Sequence, residues 1–155
     1  MKKIINRIKN QKGLTLIELL AVVVILGIIA AIAVPSVGKI IDNTKKDAHV
    51  ANAQQMINSA KLAVSADTGL LPSSGSKIIS MDYLEEQGYL DVVKDPDGGE
   101  YKKGTSETDD TGSYVKITKD EEGKYSYSVR LLGNERNISL TAEEALDRDD
   151  VTANS

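Results

Sequence analysis

Glu18 is a carboxylate set just ahead of an apolar run, residues 19–34, that holds no other charge. On insertion scales a charge in the middle of such a segment costs about 2.5–3.5 kcal/mol, so a carboxylate there calls for a cationic partner. Its chemistry is electrostatic pairing rather than catalysis. Elsewhere, reactive residue types are sparse. The single histidine, His49, falls among charged neighbours and is expected to be a solvated surface residue. The absence of cysteine excludes disulfides and thiolate metal sites, and one histidine makes a structural zinc site improbable. No glycine pattern suits a phosphate loop or a dinucleotide. Glu85 and Glu86 are adjacent on a helical stretch and diverge, so they do not form a catalytic pair. Four acids in turn-rich sequence, Asp95, Asp97, Asp109 and Asp110, are the candidate metal ligands, offering oxygens to a calcium ion. They do not fit an EF-hand, because Glu100 falls where the glycine is needed. The favoured alternative is that they are solvated, turn-forming acids. No catalytic set emerges, so the chain is not expected to be an enzyme, and no cofactor is expected beyond that calcium candidate.

The elements that must carry these residues are legible from periodicity. From Leu14 to about Ala66 the strong breaker is Pro35, with Gly27 and Gly38 weaker ones. Beyond Pro35 apolar residues recur at helical spacing: Val37, Ile40, Ile41, Thr44, Ala48, Ala51, Ala53, Ile57, Ala60 and Val64. The stretch reads as one long helix of two characters, roughly 80 Å long at 1.5 Å per residue. Residues 14–35 are apolar all round and need lipid or other subunits; residues 36–66 are amphipathic and need one covering layer. Pro35 removes a backbone donor, so the helix is expected to bend or open between Gly27 and Pro35.

Residues 67–155 read as a separate globular part. Asp67-Thr68-Gly69 is an expected stop, with Gly69 in a left-handed cap, and residues 70–77 read as a loop. A short helix is predicted over 81–87, with Ser80 as N-cap, Gly88 past its end, and Tyr89 folding back on Leu84. Val115 and Ile117, then Tyr125, Tyr127, Val129 and Leu131, alternate with polar residues, and Asp120-Glu121-Glu122-Gly123 joins the two strands as a hairpin. A third strand is predicted over 137–140. Thr141-Ala142-Glu143-Glu144 matches a capping box, and a frayed tail is expected from Arg148. The fold class is α+β, a small antiparallel sheet on the amphipathic half-helix.

Residues 1–13 carry Lys2, Lys3, Arg7, Lys9 and Lys12 and no acid. Together with Gly13-Leu14-Thr15-Leu16-Ile17-Glu18 and the apolar run, they resemble the N-terminus of type IV prepilins and of the type II secretion and competence pseudopilins. That resemblance implies a leader, 1–13, cut between Gly13 and Leu14 by a prepilin peptidase, then N-methylation of Leu14. It also assigns Glu18 to assembly register and Gly27 and Pro35 to loosening the helix. Leu14 departs from the Phe commonest in the family. Gly88-Tyr89-Leu90 and the later Asp95-Pro96 turn look like the segment after the long helix in major pseudopilins. Related pseudopilins bind calcium in their late loops. The lack of cysteine leans the resemblance towards Gram-positive pilins. The implied partners are the peptidase, other pilin subunits in a helical homopolymer, an assembly platform protein with its ATPase motor, and the membrane before assembly.

Two rivals remain for the N-terminus. Ala31-Ile32-Ala33 has the form signal peptidase prefers, and the run would also serve as a plain single-span anchor. Loss of the leader would leave 14 cations against 23 acids, net −9. With Lys116, Lys119, Lys124 and Arg130 offset by Asp120, Glu121 and Glu122, no direct nucleic acid binding is expected. The expected function is a surface type IV pilus subunit for adhesion, motility or biofilm, placed first in the cytoplasmic membrane and then at the cell surface. The alternative is a pseudopilin of a type II secretion or DNA-uptake machine.

Overall fold

The computed structural model describes residues 2–105, 108 and 110–154, with side chains described from 15 onward. The chain divides into two compact units, Met1–Asp42 and Asn43–Ser155. One helix, α1 (Lys2–Ala66), supplies all the described structure of the first unit and opens the second.

In the first unit every large apolar side chain from Leu16 to Ile41 is exposed, between 49% and 71%. Among the described residues α1 is the helix long and apolar enough to cross a membrane. The helix is unbroken through Gly27, Pro35 and Gly38, so no local opening separates Gly27 from Pro35. A proline removes one hydrogen bond from the ladder, and the flanking turns keep theirs.

In the second unit, the α1 residues His49, Ala53, Met56, Ile57, Ala60, Ala63 and Val64 are buried. They recur at three- and four-residue steps and form one face. That face lies in a common core with Ile79, Val115, Ile117, Val129, Leu131, Ile138 and Val151 of a five-stranded sheet. The strands are β1 (Gly75–Ser80), β2 (Tyr114–Lys119), β3 (Tyr125–Leu132), β4 (Arg136–Ala142) and β5 (Val151–Ala153), antiparallel neighbours in chain order. The alternation of β2 and β3 sets the register, Val115 opposite Val129 and Ile117 opposite Tyr127. This long-helix-on-sheet α+β arrangement is consistent with the type IV pilin fold.

The hairpin at Asp120 forms as expected: Gly123 takes φ +86°, and the Asp120 carboxylate accepts from the Lys124 amide at 2.7 Å. The short helix α2 (Met81–Glu86) is capped by Ser80 Oγ, which accepts from the Tyr83 amide. Past it Gly88 is left-handed at φ +75°, and the Tyr89 and Leu90 amides donate to the Leu84 carbonyl. Several expectations are corrected. Gly69 is not left-handed; Asp67 instead caps a 3₁₀ turn, Thr68–Leu70, by accepting from the Gly69 amide. The expected loop over 70–77 ends at Ser74: residues 75–77 open the strand Gly75–Ser80, whose Ile79 is buried in the core opposite Val115. Thr141 does not cap a helix: the turn at Glu143–Ala145 has no side-chain cap, and a capping box forms at Asp147 and Asp150. The chain from Arg148 is no frayed tail, since Val151 is buried and β5 pairs with β4.

Candidate functional site

The first cluster of chemistry-bearing residues lies on α1. Gly13 and Leu14 lie outside the residues whose side chains are described. Glu18 is exposed on the helix, flanked by Ile17, Leu19 and Leu20, each at least 64% exposed. A Cβ built on Gly27 meets nothing within 4 Å, so no contact inside the chain requires glycine there. This arrangement holds a carboxylate within an apolar surface that water does not suit.

The second cluster is one that reading the sequence placed in solvent. His49 is 1% exposed, and its ring is met from both sides. Tyr101 Oη lies 2.7 Å from Nδ1, and Asp97 Oδ2 lies 3.0 Å from Nε2. Asn52 Nδ2 donates to the Tyr101 hydroxyl at 3.1 Å. The Asp97 carboxylate can only accept, so in the neutral ring the proton sits on Nε2 and Nδ1 accepts from the Tyr101 hydroxyl. The helix contributes Lys45, His49 and Asn52, spaced by four and three residues on one face. Their partners lie at one tight turn. Asp95 Oδ1 accepts from the Asp97 amide at 2.8 Å, Gly98 donates to the Asp95 carbonyl, and Gly98 and Gly99 take φ +98° and +85°.

Asp95 and Asp97 are thus not solvated acids. Asp95 is 5% exposed and accepts the Asn134 amide on Oδ2 at 2.6 Å. Gly133 permits that approach, since a Cβ there would lie 2.6 Å from the same oxygen. The Asp97 carboxylate is fully buried, with Lys45 Nζ 3.2 Å from Oδ1 and Arg136 Nε 3.5 Å from Oδ2. Burial pushes its carboxyl up, but the hydrogen bond with His49, the nearby Lys45 ammonium and the charge of Arg136 hold it below the usual carboxylate range. Burial pushes the Tyr101 phenol up; the Asn52 hydrogen bond opposes this, and the negative field of Asp95 and Asp97 adds to it.

Of the four acids read as calcium candidates, Asp95 and Asp97 come together, joined by His49. Asp110 is exposed and outside that group, its carbonyl accepting from Arg130 at 2.8 Å; Asp109 lies outside the described residues. Lys119 sits over Tyr125, while Arg130 sits over Tyr114. The expectation of a solvated His49 fails because it rests on the charged run Lys45-Lys46-Asp47 just ahead of it. The signal available was its register with Ala53, Ile57 and Ala60, which places it on the buried face.

Residues 8–34 match the family model described as the prokaryotic N-terminal methylation motif, the cleavage and methylation signal of type IV prepilin-like proteins. The match spans Gly13, Leu14, Glu18 and Gly27 and ends one residue before Pro35. No curated protein and no solved structure matches the chain.

Proposed function

We propose that this chain, which carries the prepilin-type signal at residues 8–34, is the precursor of a structural pilus subunit. The basic leader stays cytoplasmic by the positive-inside preference, and α1 anchors the precursor in the membrane. A prepilin peptidase cuts after Gly13, whose lack of a side chain opens the scissile bond, and Leu14 is N-methylated. Cutting creates an ammonium four residues ahead of Glu18. In a filament core of low dielectric that ammonium pairs with Glu18 of a neighbouring copy, which offsets the desolvation of both charges. Residues 16–34 exchange lipid for their equals on other subunits, and the pairing fixes the axial register. The platform protein and ATPase supply the work of extraction. The chain is a substrate of this chemistry and performs none of it.

The observation that carries this reading is Glu18 inside a helix segment whose large apolar side chains are all exposed, next to a matched cleavage signal. Glu18→Ala tests it. The variant should be cleaved normally yet lower filament yield strongly; normal filaments would contradict the pairing. A pseudopilin role is the second reading, favoured by the Gly88-Tyr89-Leu90 helix stop leading to the Asp95 turn. Long shed filaments containing this subunit support a pilus. Loss of secretion or DNA uptake without visible fibres supports a pseudopilus.

A further inference from the structure

The buried His49–Asp95–Asp97 group has the outline of a divalent-cation site. One ligand atom from each residue lies within 4.8 Å of the others. Calcium takes six to eight oxygen ligands, and a ring nitrogen is not among its preferred donors. More decisively, three of the four carboxylate oxygens hold hydrogen bonds, and the fourth, Asp97 Oδ1, makes none but faces the Lys45 ammonium at 3.2 Å. Asp95 holds the Asp97 amide on Oδ1 and the Asn134 amide on Oδ2. Asp97 faces Lys45 on one oxygen and His49 and Arg136 on the other. Two carboxylates meet two permanent cations, so the cluster is neutral before any ion arrives. An added divalent cation would have to displace Lys45 and sit beside Arg136, against Coulomb repulsion in a buried site. The residues present do not fit calcium.

We infer that Lys45 and Arg136 are internal counterions that take the place of a divalent cation, fastening the acidic turn to the helix and to β4 without metal. Lys45 reaches in from the helix and is 37% exposed along its side chain; Arg136 comes from the first residue of β4 and is 18% exposed. Each brings to the turn an element distant in sequence, which is what a bound ion does in a metal-fastened loop. The assignment goes beyond the filament role and does not depend on polymerisation.

Thermal unfolding of the full-length protein in detergent, with millimolar calcium or with EDTA, tests it. The wild type should melt at the same temperature in both. Lys45→Gln and Lys45→Gln/Arg136→Gln should melt lower than the wild type in calcium and in EDTA alike, because Asp97 then lacks its internal counterions. A wild-type melting temperature that rises with calcium and loses that rise in Asp97→Asn would overturn the inference. So would a folded Lys45→Gln/Arg136→Gln protein that melts at the wild-type temperature. The wild-type comparison decides the matter by itself if the double variant fails to fold.

Discussion

Tyr101 and His49, fifty-two positions apart, meet edge to face at 77° with the phenol oxygen 2.7 Å from Nδ1. The contact closes a chain of donors from Asn52 through Tyr101 and His49 to Asp97. Tyr101→Phe keeps the ring and removes the donor, leaving a buried nitrogen unsatisfied. That costs about 1–3 kcal/mol, read as a lower melting temperature. In alkaline titration Tyr101 should ionise well above the ordinary tyrosine range, and a Tyr101→Phe variant that keeps the same late-ionising signal would contradict its burial.

Acid should loosen the same cluster. Asp97 has its carboxyl held low by His49, Lys45 and Arg136 against burial, and Glu143 has its own held low chiefly by Lys61. A depressed folded pKa stabilises the fold above the unfolded carboxylate value, about 4, and that contribution disappears as pH falls through the lower folded value. Unfolding free energy should therefore be flat near neutrality and fall steeply below about pH 4. Asp97→Ala should be less stable at neutral pH, near the low end of about 3–5 kcal/mol because Lys45 is partly exposed, with a shallower acid limb.

Much of this fold was legible from residue type and spacing. Val115, Ile117, Val129 and Leu131 announced β2 and β3 by alternation, and Ala53, Ile57, Ala60 and Val64 marked the buried side of α1. The failures share a cause. Ala51 reads as apolar yet is exposed, while His49 reads as polar yet is buried, because small and amphipathic side chains take the environment that tertiary contacts impose. Strand β1 was missed because Gly75 and Ser76 look like loop and its pairing to β2 is not written locally. Strand β5 was missed for the same reason, being three residues held by β4. The N-terminal signal was legible because the matched motif, residues 8–34, is itself a pattern of residue types and spacing.

The C-terminal segment should matter for stability. Arg148 holds Asp47 of α1 through two parallel bonds of 2.6 and 2.7 Å, and Val151 is 2% exposed. Deleting residues 146–155 should lower the melting temperature markedly, whereas Arg148→Ala alone, at a solvent-exposed pair, should change it little. A truncated protein as stable as the full chain would return this segment to a loose tail.

The central claim concerns where the mature chain begins. Intact-mass and N-terminal peptide mass spectrometry of protein purified from producing cells should find Leu14 first, carrying one added methyl group. A chain starting at Val34 would make residues 1–33 an ordinary signal peptide, and a retained Met1 would make α1 a simple anchor. Either result would leave Glu18 without the ammonium on which assembly is argued to depend.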